Sequence, residues 1–273
     1  MHPSILISDN RKAELKEKIA HHAWAKTIYD NLVSSVRPYI DRHETDPEWI
    51  VSRLQMHWKT HYERTFVKGA RWSHGEGRAP VPTVRFAGAR DWATDYQTPA
   101  LEDLLPYSED SRGIWLQNGK KPGEPWEWAD VSVTGHIVEG INERIMDLAE
   151  KAAFLYWFTG DLAAARFAVD ILWPYVLGMH HRQNPDTFED HSQAHILGIA
   201  TFEVIHERIT TPLTVAYDFL YPHLIETGED VALIQNLFKR WADRIIEGGF
   251  AQGNWNLHQA KYLVGLALAL EPD

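Results

Sequence analysis

The chain has 273 residues, 44% hydrophobic and 24% charged, which suits one globular domain with a sizeable core. Its net charge of -11, from 27 basic against 38 acidic residues, argues against nucleic acid as a partner, because phosphate binding needs a net basic face. Cysteine is absent, which excludes disulfides and thiol chemistry, and no apolar run approaches the roughly 20 residues that cross a bilayer.

Asp9 is placed to cap a first helix, expected to run to residue 36 on the apolar stripe Leu15, Ile19, Trp24, Ile28 and Leu32, with Arg37-Pro38 ending it. A second is expected over residues 46–58, with Pro47 and Glu48 in its first turn. Over residues 59–134 the periodicity is lost. This stretch carries Pro80, Pro82, Pro99, Pro106, Pro122 and Pro125, and the indoles Trp72, Trp92, Trp115, Trp126 and Trp128. So many aromatics argue against disorder, and the stretch reads as an ordered insertion over one end of the helices, with a short helix near 99–105.

Helical spacing then resumes. Residues 137–158 carry Ile141, Ile145, Leu148, Ala152 and Leu155 on one stripe, and Thr159-Gly160-Asp161 turns the chain into a partner over 162–177. Further helices are expected over 192–207, from Thr211-Pro212 to about residue 220, where Tyr221-Pro222 closes it, and over 229–247. Short turns between successive helices imply antiparallel hairpins, so the expected class is all-α, with no strand alternation of useful length.

The richest chemistry lies in Gly253-Asn254-Trp255-Asn256-Leu257-His258-Gln259, ahead of an apolar helix with Tyr262, Leu263, Leu266, Ala267 and Leu270 at helical spacing. Carboxamides and an imidazole at a helix N-terminus suit the capture of a carboxylate, since free N–H groups and the macrodipole favour anions there. A capping role for Asn254 or Asn256, with Trp255 in packing, accounts for the same residues equally well. His136, Glu139 and Asn142 lie three apart at a helix start and share a face, for a ligand or for a neighbouring helix. Arg71, Arg78, Arg85 and Arg90 are available to an acidic ligand or to solvent.

Twelve Trp and ten Tyr point mildly toward carbohydrate, whose rings pack on flat aromatic faces, although large aromatic cores account for most such residues. His191 and His195 are at i and i+4 beside Asp190, but Ser192 stands where the zinc protease motif has Glu, so no metal is expected. Glu139, Asp190 and Asp218 are the carboxylates a glycosidase pair would draw on.

Three strings occur in order: Lys151-Ala152-Ala153-Phe154-Leu155-Tyr156-Trp157-Phe158-Thr159-Gly160-Asp161, Ala216-Tyr217-Asp218-Phe219-Leu220-Tyr221, and Gly253-Asn254-Trp255-Asn256. With the opening His2-Pro3-Ser4-Ile5-Leu6 and Trp24-Ala25-Lys26, the chain resembles the heparinase II/III-like polysaccharide lyases. The resemblance implies an incomplete (α/α) toroid spanning 1–273, the N-terminal part of a longer periplasmic or secreted enzyme with β-sandwich domains downstream. It implies an acidic, glycosaminoglycan-like polysaccharide as substrate, cleaved by β-elimination, with no cofactor. On that resemblance Asn254 or Asn256 neutralises the uronate carboxylate with His258 nearby, while the catalytic Tyr and second His lie beyond Asp273. Trp255, His136, Glu139, Asn142, Arg85, Arg90 and Trp92 are then the expected substrate contacts. An (α/α) glycoside hydrolase, such as an unsaturated glucuronyl hydrolase, and a non-catalytic acidic-glycan-binding module are the alternatives.

Overall fold

The computed structural model of the chain describes residues 2–58, 81–85, 94–106, 113–182 and 207–270. It is mostly helical. A 3-10 turn at Asp9–Arg11 leads into α1 (Lys12–His21), and an extended His22 separates this from α2 (Ala23–His43). The single first helix expected is therefore two, and α2 continues through Pro38 instead of stopping before it. Proline removes one N–H and crowds the preceding turn, yet the buried Val36 and Ile40 on either side hold the helix against the core. The second expected helix shrinks to one turn, α3 (Glu48–Val51), after which the chain extends.

Two short antiparallel ribbons correct the expectation of no strands. β1 (Met56–His57) pairs with β2 (Thr83–Val84), and β3 (Gly113–Gln117) pairs with β4 (Trp126–Asp130). Both fall at or within the Trp- and Pro-rich stretch, and the helix expected near 99–105 is a 3-10 turn, Leu101–Asp103. The second ribbon buries Ile114, Leu116 and Ala129 on one face and leads through Val131–Val133 straight into the next helix.

That helix, α4 (Ile137–Thr159), buries Ile141, Ile145, Leu148, Ala152 and Leu155, the stripe read from its spacing. Each Ile or Leu of that stripe contributes about 1.5–3 kcal/mol when fully buried. Gly160, at φ 81°, ends the helix in the left-handed region. Asp161 then caps α5 (Leu162–His181) by accepting from the N–H groups of Ala163 and Ala164 at 2.9 and 3.2 Å. By length and hydropathy α5 passes as a membrane span, and its buried residues pack within the protein.

The last three helices are α6 (Thr210–Thr227), α7 (Val231–Gly248) and α8 (Asn254–Ala269). α6 runs on through Pro222, and all but one residue from Thr210 to Leu220 is buried. Its neighbours fix its direction. Glu143 and Arg208 meet at 3.3 Å beside its start, and farther along Phe154 and Tyr156 face Phe219 and His223, so α4 and α6 run parallel. α8 runs the same way, with Gly265 against Thr214, and the Leu268 carbonyl within 3.4 Å of Ser4 Oγ, whose residue is held by Asp218. α7 returns antiparallel to α6, with Gln235 Nε2 donating to Tyr217 Oη at 3.2 Å. The N-termini of α4, α6 and α8 therefore lie at one end of the molecule. The helix expected over 192–207 lies outside the described residues, apart from a 3-10 turn at Glu207–Ile209.

Candidate functional site at the shared helix N-termini

Three parallel helices place the positive ends of their dipoles together, a field that favours an anion. At this end α8 begins without a side-chain cap, because Gly253 (φ 94°) takes the N-cap position where Asn254 or Asn256 was expected. A glycine there adopts the left-handed backbone without strain and leaves the first-turn N–H groups with no capping side chain.

The loop before α8 is held by two of its side chains. Gln259, which is buried, accepts the Phe250 N–H on Oε1 at 2.7 Å, and Asn256 Nδ2 donates to the Phe250 carbonyl at 2.8 Å. Trp255 packs its ring 4.8 Å from that of Phe250. Asn256 thus has a structural bond that fixes its carboxamide, with a second amide N–H beyond it. Asn254 and His258 are exposed, and Asn256 and Trp255 are half-buried. Asn254 and His258, four apart, share an exposed face, while Asn256 and Trp255 turn toward the Phe250 loop, and none of the four lies deep among packed helices.

On α4 the expected trio divides. His136 Nδ1 and a Glu139 carboxylate oxygen are in direct contact, whereas Asn142 points to β1. There its Oδ1 accepts the Gln55 N–H at 2.6 Å and its Nδ2 donates to the Gln55 carbonyl at 3.3 Å, with the side chain 1% exposed. Asn142 is a tie between α4 and the first ribbon, and the shared helical face does not bring it to a ligand. Arg85 is likewise buried, and its guanidinium donates to the carbonyls of Met56 and Gly113. Arg90 and Trp92 lie outside the described residues, as do Arg71, Arg78, Asp190, His191 and His195. Among the described residues no three His, Asp or Glu side chains converge as a metal requires.

Of a row of carboxylates along α4 the sequence reading singled out Glu139 alone, and it missed Glu143, Asp147 and Glu150. Burial pushes the Glu139 carboxyl up to about 7, against the opposing pull of His136. Burial raises Glu143 and Asp147, which Arg208 opposes in both cases. Glu150 also rises to about 7, through burial and then the Asp147 charge, opposed by Lys151 and by Lys261 of α8. The signal was present as acidic residues four and three apart in a helix, which place all four on one face. Chemically, a carboxyl poised near neutrality both holds and releases a proton.

Asp218 has a different role. Its two oxygens accept the Ser4 N–H at 3.0 and 2.8 Å and the Ile5 N–H at 2.8 Å, with His2 Nδ1 at 2.5 Å. Two of the strings behind the family resemblance, His2-Pro3-Ser4-Ile5-Leu6 and the one around Tyr217-Asp218, are thus in contact. This engagement does not suit Asp218 to a glycosidase pair. No family model, curated protein or solved structure matches the chain, so the resemblance rests on those residues.

Proposed function

We propose that this chain is the helical domain of a polysaccharide lyase that cleaves a uronic-acid-containing polysaccharide by β-elimination. The observation that carries the reading is the uncapped N-terminus of α8, which exposes Asn254 and His258 on one face and holds Asn256 against the Phe250 loop, at the end of the molecule where two further helices begin. The proton on C5 of a uronate is hardly acidic while the adjacent carboxylate keeps its full charge. Amide donors and helix N–H groups that share this charge stabilise the enolate-like anion that forms as a base removes the proton. In this reading Asn256, its orientation set by the Phe250 carbonyl, and Asn254 supply those donors, with His258 beside them. The family mechanism also needs a base and an acid, a Tyr and a second His, which these residues do not include, and a polysaccharide substrate implies a periplasmic or secreted enzyme.

Parallel α4, α6 and α8 with antiparallel α5 and α7 support an incomplete (α/α) toroid. So does α8 itself, which exposes Leu257, Val264 and Leu268 along one face while burying Tyr262, Leu266 and Ala269 on another. A helix apolar on both sides is built to be covered on both.

Incubating the full-length protein, base and acid included, with heparan sulfate, chondroitin sulfate or alginate is expected to raise the ultraviolet absorbance of a conjugated, unsaturated uronate on at least one of them, whereas residues 1–273 alone are expected to be inactive. Asn254→Ala is exposed and keeps the fold, so its loss of product isolates chemistry. Asn256→Ala abolishes product and also loosens the loop. No absorbance change on any of the three overturns the reading. The carboxyls of Glu139 and Glu150, raised to about 7, favour one alternative, a glycoside hydrolase. That enzyme releases reducing ends without the conjugated band, and Glu139→Gln rather than Asn254→Ala stops it.

A further inference from the structure

The outer face of the β3–β4 ribbon carries an aromatic surface that the catalytic reading does not use. In the ribbon register Gly113 faces Asp130, Trp115 faces Trp128, and Gln117 faces Trp126, so these six residues share one side. Their neighbours Ile114, Leu116 and Ala129 are buried on the other. The rings of Trp115 and Trp126 are close to parallel, 20° apart with centroids 6.5 Å from each other, and Trp128 meets Trp115 edge-on at 5.5 Å. Trp128 is 42% exposed.

Hydrogen bonding separates these indoles from two others. The half-buried Trp58 donates its Nε1–H to the Leu54 carbonyl, and the buried Trp157 donates its own to Asp9. The N–H groups of Trp115, Trp126 and Trp128 reach no acceptor among the described residues and are not sealed from solvent. They have the amphipathic character of a surface waiting for a wet, ring-shaped partner. Gly113 is part of the device, since a Cβ at that position would sit 3.3 Å from the Trp128 ring and from the Ala129 carbonyl. Beside the ribbon lies a hollow lined by Trp58, Leu105, Pro106, Gly113, Trp115 and Trp128. The connecting turn carries the exposed Lys120 and Lys121, and neither forms an ion pair among the described residues.

We infer that this face is a binding platform for an acidic polysaccharide, whose pyranose rings stack on Trp126 and Trp128 while its anionic groups meet Lys120 and Lys121. Flat rings with open edges suit sugar, and Lys120 and Lys121 offer a polyanion two cations at the turn, which the exposed Glu124 and Asp130 nearby offset in part. The ribbon runs directly into the N-terminus of α4, so a polymer held here is at the end of the molecule that carries Asn254 and His258. The inference deepens the proposed function by adding a place to grip the polymer away from the bond that breaks, and it shares only the substrate class with that reading.

The test is titration of the full protein with heparan sulfate, chondroitin sulfate and alginate at low and high salt, followed by calorimetry and tryptophan fluorescence. Trp126→Ala and Trp128→Ala should each weaken binding about tenfold, the scale on which loss of one anchoring aromatic is felt. Trp128→Phe should keep most of it. The double variant Lys120→Ser, Lys121→Ser should weaken binding at low salt and match the parent at high salt. Trp24→Ala, which removes an indole 62% exposed on α2, should change nothing. Parent-like binding by both alanine variants overturns the platform, as does a parent that binds none of the three polymers. Polysaccharide that is bound through these indoles but never cut overturns the lyase reading and leaves the platform standing.

Discussion

Glu139 ties chemistry to stability at the level of a single residue. Burial lifts its carboxyl from an ordinary 4.5 to about 7, so between those values the folded chain holds a proton that the unfolded chain has lost. Stability from this group is complete below about 4.5 and declines as pH rises through 7, by up to about 3 kcal/mol. Glu150 acts in the same direction. Denaturant unfolding is therefore expected to show a less stable protein at pH 8 than at pH 5, and Glu139→Gln, which cannot ionise, should flatten that slope. A slope unchanged by the substitution would move the effect to other groups. Asp218 bears on stability through hydrogen bonding, as a buried side chain that gathers two backbone N–H groups and His2. Asp218→Ala should cost about 3 kcal/mol, because hydrogen bonds to a charged group are worth about 1.5–3 kcal/mol each and overlap here. The loss should appear as a lower melting temperature and as early proteolysis ahead of α1.

Among the elements, the packing of α5 on the first ribbon gives the sharpest test. A Cβ on Gly178 would lie 2.3 Å from Met56 Cε, 3.0 Å from the Pro82 carbonyl oxygen and 3.1 Å from the Val84 nitrogen. The methionine tip can move and the backbone cannot, so Gly178→Ala should destabilise by about 1–3 kcal/mol in thermal unfolding, despite alanine's better helix propensity. Sequence periodicity located α4, α5 and α7 well, because a stripe facing one core repeats at helical spacing. It misjudged α2 and α6, where Pro38 and Pro222 read as stops although tertiary packing carries both helices through. The ribbons were illegible for another reason. β1 and β2 are two residues each, too short for any alternation, and both indoles and carboxylates interrupt the pattern of β4. At the candidate site the residues of α8 were legible as a group, since they are contiguous. The destination of the Asn142 amide was not, because its partner Gln55 is 87 residues away.

For the whole molecule, the common orientation of α4, α6 and α8 sets three helix N-termini at one end, where their dipoles work against the Glu139 and Glu143 carboxyls and a net charge of -11. The exposed Leu257, Val264 and Leu268 bear on the proposed ring architecture. If a further helix packs on that face, Val264→Lys should lower the melting temperature of the complete protein by about 3 °C or more. An uncovered face would tolerate it, because surface substitutions usually stay within about 0.5 kcal/mol. The clasp between Ser4 and Asp218 spans 214 residues of sequence. At roughly 5–20 residues per second, a ribosome takes about ten to forty seconds to deliver the second partner after the first. Through that interval the segment around Ser4 has no seat, and it is a natural handhold for a chaperone until α6 emerges to receive it.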